Sequence, residues 1–497
     1  RFSRRKHDER FPGQAVEFCL REAGISAQQL DAVVFYEKPL LKFERLLETA
    51  LAFAPRGFRS FLKSMPPWLQ RKLHLPREID RGLGGAYSGP ILFAGHHESH
   101  AASAFFPSPF EQAAILTIDG VGEWTTASWG VGSGNRIELR EEMRFPHSLG
   151  LLYSAFTLYC GFRVNSGEYK LMGLAPYGEP RLCGLILDRI VRLHEDGSMW
   201  LDQRYFDYCA GLHMTSRAFH DLFGGPPRDP ESPVTQREMD IAASMQAVTE
   251  QAVLRMARHV HVRTGQRNLC LAGGVALNCV ANANLGSIFD HIWIMPNPGD
   301  AGSSLGAAAL SLGSRLQWDT AYLGHDIPGV YPVDAIICEL EQNKICGVAS
   351  GRAEWGPRAL GNRSLLADPR GSDIKDQVNA IKQRQKFRPF APAILEELVD
   401  TYFVMPPGWR DSRYMQCVAR CRDPDLFPAI VHQDGSSRVQ TVPPDGSGFR
   451  KLLEAWYERT GCPMLLNTSL NIRGEPMVNN RADADRFQNL YNIRVCS

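Results

Sequence analysis

The sequence has no apolar run long enough to span a bilayer, so no membrane-crossing helix is expected. It has almost no net charge: 55 Lys and Arg stand against 54 Asp and Glu, a balance of +1. Nothing in that balance points to a nucleic-acid or membrane partner. The basic start Arg4-Arg5-Lys6 reads as a local phosphate-facing or solvated patch. Paired CxxC sets are missing. Cys417 and Cys421 stand four apart with no second pair, so the twelve cysteines read as buried, reduced thiols of a cytoplasmic protein. There are no internal repeats and no low-complexity tract. No signal peptide is visible, and the first residue is Arg1 rather than Met, which leaves an upstream piece open.

What is present is enough for ordered cores: 497 residues, 44% apolar and 10% aromatic, fit two or three domains. Hydrophobic periodicity predicts a helix over 12–23, a strand over 33–36 and a helical insertion or lid over 42–75, with Pro66-Pro67 inside it. A strand over 91–94, a helix over 96–105 and strands over 113–118, 125–131 and 136–143 follow, the last three as an antiparallel meander. Helices over 149–160 and 239–264 and strands at 269–272 and 292–295 come next, then a small-residue helix over 302–310. Meander first, then strand–glycine–helix crossovers, implies a mixed α/β sheet flanked by helices. The Gly- and Pro-rich stretch 321–332 reads as a boundary between residues 1–320 and a smaller α/β domain over 333–497.

Four segments carry candidate chemistry. In Gly95-His96-His97-Glu98-Ser99-His100, helical spacing puts His96 and His100 on one face, where both imidazoles can bind one metal. The spacing is one residue short of the zincin HExxH, which removes a peptidase reading; the alternative is two ordinary hydrogen-bonded histidines. Asp119-Gly120-Val121-Gly122 places a carboxylate at a strand end before a bare turn, suited to a metal or a metal-bound phosphate, or simply a hairpin. Gly273-Gly274 lies between a strand and a helix, where phosphate can sit, or where the two elements merely pack tightly. Asp300, before Gly302 and Gly306, can complete a metal site while the glycines let the helix approach a nucleotide; its alternative is a helix N-cap. Two imidazoles with two carboxylates suit iron, zinc or manganese.

The C-terminal part is crowded with arginine. Arg352, Glu354, Gly356, Pro357, Arg358, Gly361, Asn362, Arg363 and Ser364 fall close together, followed by Lys386, Arg388 and Arg438, and by the polar turn Asn467-Thr468-Ser469-Leu470-Asn471. Guanidinium groups bind phosphate bidentately, so a phosphate site is expected over the alternative of surface salt bridges.

These segments, with Ser166–Gly178 and Gly356–Ser364, resemble the nodulation-protein-U and cephamycin/tobramycin type of O-carbamoyltransferase along nearly the whole chain. The resemblance implies an N-terminal sugar kinase/actin/Hsp70-like (ribonuclease H-like) domain similar to the tRNA threonylcarbamoyl transferase, and a smaller YrdC-like C-terminal domain. It implies that carbamoyl phosphate and ATP (with Mg2+) give carbamoyl-adenylate in the C-terminal domain, and that a hydroxyl of a small-molecule acceptor (a sugar, antibiotic or related metabolite) takes the carbamoyl group in the N-terminal one. It further implies His96, His100, Asp119 and Asp300 as ligands of a divalent metal, Fe(II) by preference. Gly150, Gly273 and Gly274 would lie near the nucleotide, and Arg358, Arg388, Arg438 and Thr468 would hold carbamoyl phosphate and ATP, with Lys6 as a further phosphate contact. No nucleic acid or membrane is expected as partner, and a homodimer is compatible with the reading. The chain departs from the family pattern in lacking the usual strand and polar loop before residues 1–7, in a shorter 322–345 region and in its tail after Pro476. Two other readings remain: a tRNA threonylcarbamoyl transferase-like enzyme, and a non-catalytic nucleotide-binding fragment.

Overall fold

The computed structural model describes residues 1–497, which form two compact units: Phe11–Trp318, and Arg1–Arg10 with Asp319–Ser497. The expected grouping of residues 1–320 is therefore corrected at its start, where the first ten residues join the C-terminal unit. The cause is ionic. Arg4 pairs with Glu475 and with Asp483, each at 3.3 Å, and donates to the Met477 carbonyl at 2.6 Å. Arg1 stands 3.7 Å from the buried carboxylate of Glu354.

The larger unit begins with helix α1 (Gly13–Ala23), which ends on Gly24 in the left-handed conformation, φ +66°. Strand β1 (Val33–Phe35) leads into the insertion, which is three helices: α2 (Pro39–Ala52), α3 (Phe58–Gln70) and α4 (Leu75–Gly82). Strand β2 (Ile91–Phe93) then pairs parallel with β1. After two intervening residues α5 (His96–Phe105) starts, where the Glu98 carboxylate accepts the Gly95 N–H at 3.1 Å and holds the first turn.

The main sheet takes β3 (Gln112–Ile118), β4 (Thr125–Ser133) and β5 (Arg136–Arg144) as an antiparallel meander. Helix α6 (Leu149–Tyr159) is capped by Ser148, whose hydroxyl accepts the Leu151 N–H at 3.0 Å. The long α7 (Gln236–Thr264) opens on a Thr235–Glu238 capping box and ends on Gly265, φ +64°. Strand β6 (Asn268–Ala272) pairs parallel with β3, and β7 (His291–Ile294) pairs parallel with β6, giving the order β5-β4-β3-β6-β7.

Helix α8 (Asp300–Leu312) crosses α5 closely. A Cβ on Gly306 would stand 1.9 Å from the Ser99 carbonyl oxygen, so only glycine permits the contact. The expectation that Gly306 clears space for a nucleotide is thereby corrected: the space it leaves is filled by α5. Ala101, Ala104, Phe105, Ile115, Cys270, Ala272 and Ala309 pack behind this crossing as one core.

In the smaller unit, α9 (Val333–Asn343) precedes β8 (Ile345–Ala349), then come β9 (Arg363–Ala367), α10 (Ile374–Ile381) and β10 (Ala391–Leu395). The unit ends with β11 (Gln440–Val442), α11 (Gly448–Thr460), β12 (Met464–Ser469), α12 (Arg481–Tyr491) and β13 (Val495–Cys496). The six strands lie in the order β11-β10-β12-β9-β8-β13. One face packs on α9 and α11 through Ile336, Leu340, Leu452 and Trp456. The other packs on α10, α12 and the 403–431 segment through Val378, Phe487, Phe403 and Phe427. The structure as a whole is mixed α/β. All twelve cysteines are free thiols, most of them buried, and no helix is long and apolar enough to cross a membrane.

Because the α5–α8 contact is backbone against backbone, Gly306→Ala forces the helices apart. Calorimetry should show the larger unit destabilised by about 1–3 kcal/mol. An unchanged melting profile would mean that the crossing yields freely.

Candidate active site

Three chain segments meet at the N-terminal end of α5. His96 and His100 lie one turn apart, and their Nε2 atoms stand 3.1 Å from each other. Asp119, on the residue after β3, places Oδ2 at 3.2 Å from His96 Nε2 and 3.7 Å from His100 Nε2. Asp300, the first residue of α8, places Oδ1 at 3.6 and 3.4 Å from the same two nitrogens. One donor atom from each of the four residues falls within 4.8 Å of all the others. Asp300 does not act as the N-cap, a position that Gly299 holds without a side-chain bond, so its carboxylate is turned to the cluster instead.

The glycines expected near a nucleotide all border Asp119. The Gly274 N–H donates to Asp119 Oδ1 at 2.9 Å. Gly273 has φ +90°, and a Cβ there would lie 2.2 Å from the Ile118 carbonyl oxygen. A Cβ on Gly150 would lie 2.5 Å from the Asp119 carbonyl oxygen. Bare backbone on these sides lets the strand end, the turn after β6 and the first turn of α6 close on one carboxylate.

Outer residues aim the ligand atoms. The Ser303 hydroxyl, one turn after Asp300, is 2.9 Å from His100 Nδ1. The Glu123 carboxylate accepts the His96 N–H at 3.1 Å and the Lys38 N–H at 2.7 Å. Glu37 lies 3.6 Å from His96 Nδ1 and 2.7 Å from Lys42 Nζ. His97 turns the other way, to the hydroxyls of Thr117 at 2.6 Å and Ser128 at 3.0 Å.

Electrostatics separates these histidines. Burial alone would lower His96, but hydrogen bonds donated by its ring to Asp119 and Glu37 outweigh it and raise the imidazole to about 10. His100 is raised against its burial by Asp119 and Asp300. Burial and the two neighbouring imidazoles push His97 down to about 3. Burial opposes ionisation of Asp119, yet His100 and His96 hold it well below the usual carboxylate range. The negative field that favours an imidazolium here favours any cation. Two Nε2 atoms and two carboxylate oxygens converging within 4.8 Å fit a divalent metal held by two nitrogens and two oxygens. Asp300 is 58% exposed, so the cluster is open on that side, as a site that must admit a substrate requires. The sequence reading missed Glu37, Glu123 and Ser303. Ser303 carried a signal, being three residues after Asp300 on the same helical face.

The smaller unit holds a field of opposite sign. Lys382 is buried, and its ammonium donates to the Ser469 carbonyl, to Asn471 Oδ1 at 2.6 Å and to the Asn471 carbonyl at 3.1 Å. Burial first, then Arg384, Arg388 and Lys6, drives it well below the ordinary lysine value. Arg384 is lowered by burial and by Arg388 and Arg438. It stacks 3.9 Å over the Phe390 ring and donates to Asn379 Oδ1 at 2.7 Å. Lys6 reaches solvent, yet partial desolvation and Arg388 lower it too. Five cations thus share one neighbourhood, and an anion is the group that relieves them.

Of the residues expected here, Lys6, Arg388 and Arg438 belong to this neighbourhood. Thr468 lies on β12 beside Ser469, whose carbonyl takes the Lys382 ammonium. Arg358 stands half-buried on the loop that Glu354 ties down by accepting the N–H groups of Leu360, Asn362 and Arg363 at 2.9–3.1 Å. Three residues of the arginine-rich stretch serve the fold rather than phosphate. Glu354 is that loop anchor. Arg363 is fully buried and donates to the carbonyls of Ser350, Asn362, His325 and Asn479. Lys386 is exposed and pairs with Asp376 at 2.9 Å. Lys382 and Arg384 were missed although they alternate with Lys386 and Arg388, because a basic run just after a helix has the sequence appearance of a solvated face.

Comparison with known proteins is consistent along the whole chain. Residues 1–309 match the carbamoyltransferase N-terminus family and residues 338–496 the carbamoyltransferase C-terminus family. An uncharacterized protein of Synechocystis sp. is 48% identical, with 98% of this chain and 89% of that protein aligned. Nodulation protein NolNO of Sinorhizobium fredii is 35% identical over 97% of this chain and 73% of its own length. Nodulation protein U of Rhizobium tropici is 31% identical over 76% and 70%. Among solved structures, HypF of T. kodakarensis overlaps 48% of this chain and 39% of its own at 16% identity and a TM-score of 0.26, too loosely to bear on the fold.

Two measurements test these sites. Ser303→Ala removes the hydroxyl that orients His100, so titration with Fe(II), Mn(II) or Zn(II) should show affinity weakened about 10–100-fold; unchanged affinity would separate Ser303 from the cluster. In the smaller unit the sign follows from the lowered Lys382: burial and the neighbouring cations lower it, and an anion beside it raises it. Binding of inorganic phosphate should therefore take up protons and weaken as pH rises. Calorimetry in buffers of different ionisation enthalpy reads the uptake, and Lys382→Met should abolish it.

Proposed function

Because the chain belongs to the carbamoyltransferase family, and is a carbamoyltransferase enzyme, we propose that it is an ATP-dependent O-carbamoyltransferase with one half-reaction in each unit. The observation that carries this is the presence on one chain of a cluster of two imidazoles and two carboxylates and of a second cluster of buried and half-buried cations. In the smaller unit, carbamoyl phosphate and water give carbamate and phosphate. A carbamate oxygen then bonds to the α-phosphorus of ATP, pyrophosphate leaves, and carbamoyl-adenylate remains. Arg384, Arg388 and Arg438, with Lys382, Lys6, Arg358 and Thr468, hold the phosphate groups. Their charge offsets the repulsion between two anionic substrates brought together. Mg2+ accompanies ATP.

In the larger unit the acceptor hydroxyl attacks the carbamoyl carbon, AMP leaves, and a carbamate ester forms. His96, His100, Asp119 and Asp300 would hold a divalent metal, Fe(II) by preference, which supplies positive charge for the carbonyl oxygen or the departing phosphate. Gly150, Gly273 and Gly274 leave backbone bare for the adenylate. Glu123 and Ser303 keep the two imidazoles in register.

The acceptor is a small molecule bearing a hydroxyl. The sheet order, a three-stranded meander followed by two parallel strands, supports a ribonuclease H-like, actin-related fold for the larger unit. The smaller unit is read as YrdC-like.

The test is ATP–pyrophosphate exchange dependent on carbamoyl phosphate. Exchange should fall by about 10²–10³-fold in Arg388→Ala and persist in His100→Ala, which should lose transfer alone. A parent protein that exchanges no pyrophosphate under these conditions would sink the adenylation half of the proposal.

A further inference from the structure

The near-zero charge of the chain conceals a local imbalance. From Thr49 to Arg77 there is no Asp or Glu, while Arg56, Arg59, Lys63, Arg71, Lys72 and Arg77 all fall in this stretch. It covers the end of α2, all of α3 and the start of α4. Its apolar residues are equally unusual. On α3, Phe58, Leu62 and Leu69 are 61%, 53% and 55% exposed, and Leu51 at the end of α2 is 76% exposed.

These are not side chains left over from a core. Helix α3 already buries Met65 and Trp68 on its inner face, with Trp68 against Phe43 of α2 at 5.7 Å between ring centroids. At about 100° per residue, Phe58, Leu62 and Leu69 fall within about 40° of one another, on an exposed stripe that adjoins Met65 at the edge of the buried face. Arg59 and Lys63, also exposed, run directly beside it. Apolar stripe and basic stripe side by side on an exposed helix make the arrangement that lies in a lipid headgroup region, aliphatic groups down and cations at the phosphates.

We propose that the outer face of α3, with the Leu51–Arg56 corner, docks on an anionic phospholipid surface. This goes beyond the carbamoyl chemistry and does not depend on it. It departs from the expectation of no membrane partner, which rested on the charge of the chain as a whole. The contact is peripheral, and no segment crosses the bilayer. A second copy of the chain is a poorer occupant. A two-fold contact would bring the same basic stripe against itself, and like charges would oppose at the centre of the interface.

The experiment is co-sedimentation of the full chain with vesicles of phosphatidylcholine alone and of phosphatidylcholine with phosphatidylglycerol. Binding is expected to the anionic vesicles only, and to be lost on raising salt from about 0.05 to 0.5 M. Arg59→Glu with Lys63→Glu should weaken it by more than roughly fivefold per cation removed. Phe58→Ser with Leu62→Ser should weaken it at unchanged charge. Both pairs change exposed side chains, and an unshifted thermal melt confirms that the fold is intact. No binding to anionic vesicles, equal binding to neutral ones, or binding indifferent to both pairs overturns the proposal. So does a dimer in sedimentation velocity that the Phe58→Ser, Leu62→Ser pair dissociates, since it would assign the face to a second copy.

Discussion

The larger unit is organised around one buried carboxylate. Asp119 directly follows the central strand β3, and an unpaired negative charge at that depth would be costly. Its neighbours are arranged to prevent it. Gly274 donates a backbone N–H to one oxygen, and the imidazoles of His96 and His100 stand at the other. Each contact imposes a condition elsewhere. The turn after β6 must be Gly273-Gly274, because β6 runs beside β3 and a side chain would strike the Ile118 carbonyl. The first turn of α6 must be bare at Gly150. Helix α8 must approach α5 closely enough for Asp300 and Ser303 to reach His100, and Gly306 makes that approach possible.

The two units treat charge in opposite ways. The larger one gathers carboxylates and imidazoles whose titration is displaced toward holding a cation. The smaller one gathers ammonium and guanidinium groups, and burial together with mutual repulsion lowers Lys382 and Arg384. The imidazole–carboxylate pairs of the larger unit attract one another, whereas the cations of the smaller unit repel: like charges kept together and partly dehydrated are a cost that a ligand of the other sign removes. Elsewhere in that unit a buried guanidinium is matched by opposite charge: Arg450 pairs with Glu397 and Glu454.

Much of this was legible in the chain because it is local. The alternation in 113–118, 125–131 and 136–143 predicts a meander, and the fold contains one at β3–β5. The i, i+4 spacing of His96 and His100 places them on one helical face whatever surrounds them. Asp119 and Asp300 could be singled out because each follows a strand and precedes glycine. The arginine-rich stretch was harder to read. Arg358, Arg363 and Lys386 have the same sequence character, yet one lies on an anchored loop, one is locked in the core and one is a surface ion pair.

Residue type, helical and strand period, and glycine placement are properties of short segments, so the sequence by itself determined the mixed α/β class, most element positions and the residues able to bind a metal. Which charges meet is a property of long-range pairing, and only the tertiary structure decided it. The register of β3 with β6 brings Asp119 to Gly274 across 155 positions, and the packing of α8 on α5 brings Ser303 to His100 across 203. The same holds for Arg1–Arg10, whose place in the C-terminal unit depends on partners such as Glu475 and Asp483 at the far end of the chain. Coulomb attraction and close packing act across space, and they are visible in a sequence only after the fold has brought distant segments together.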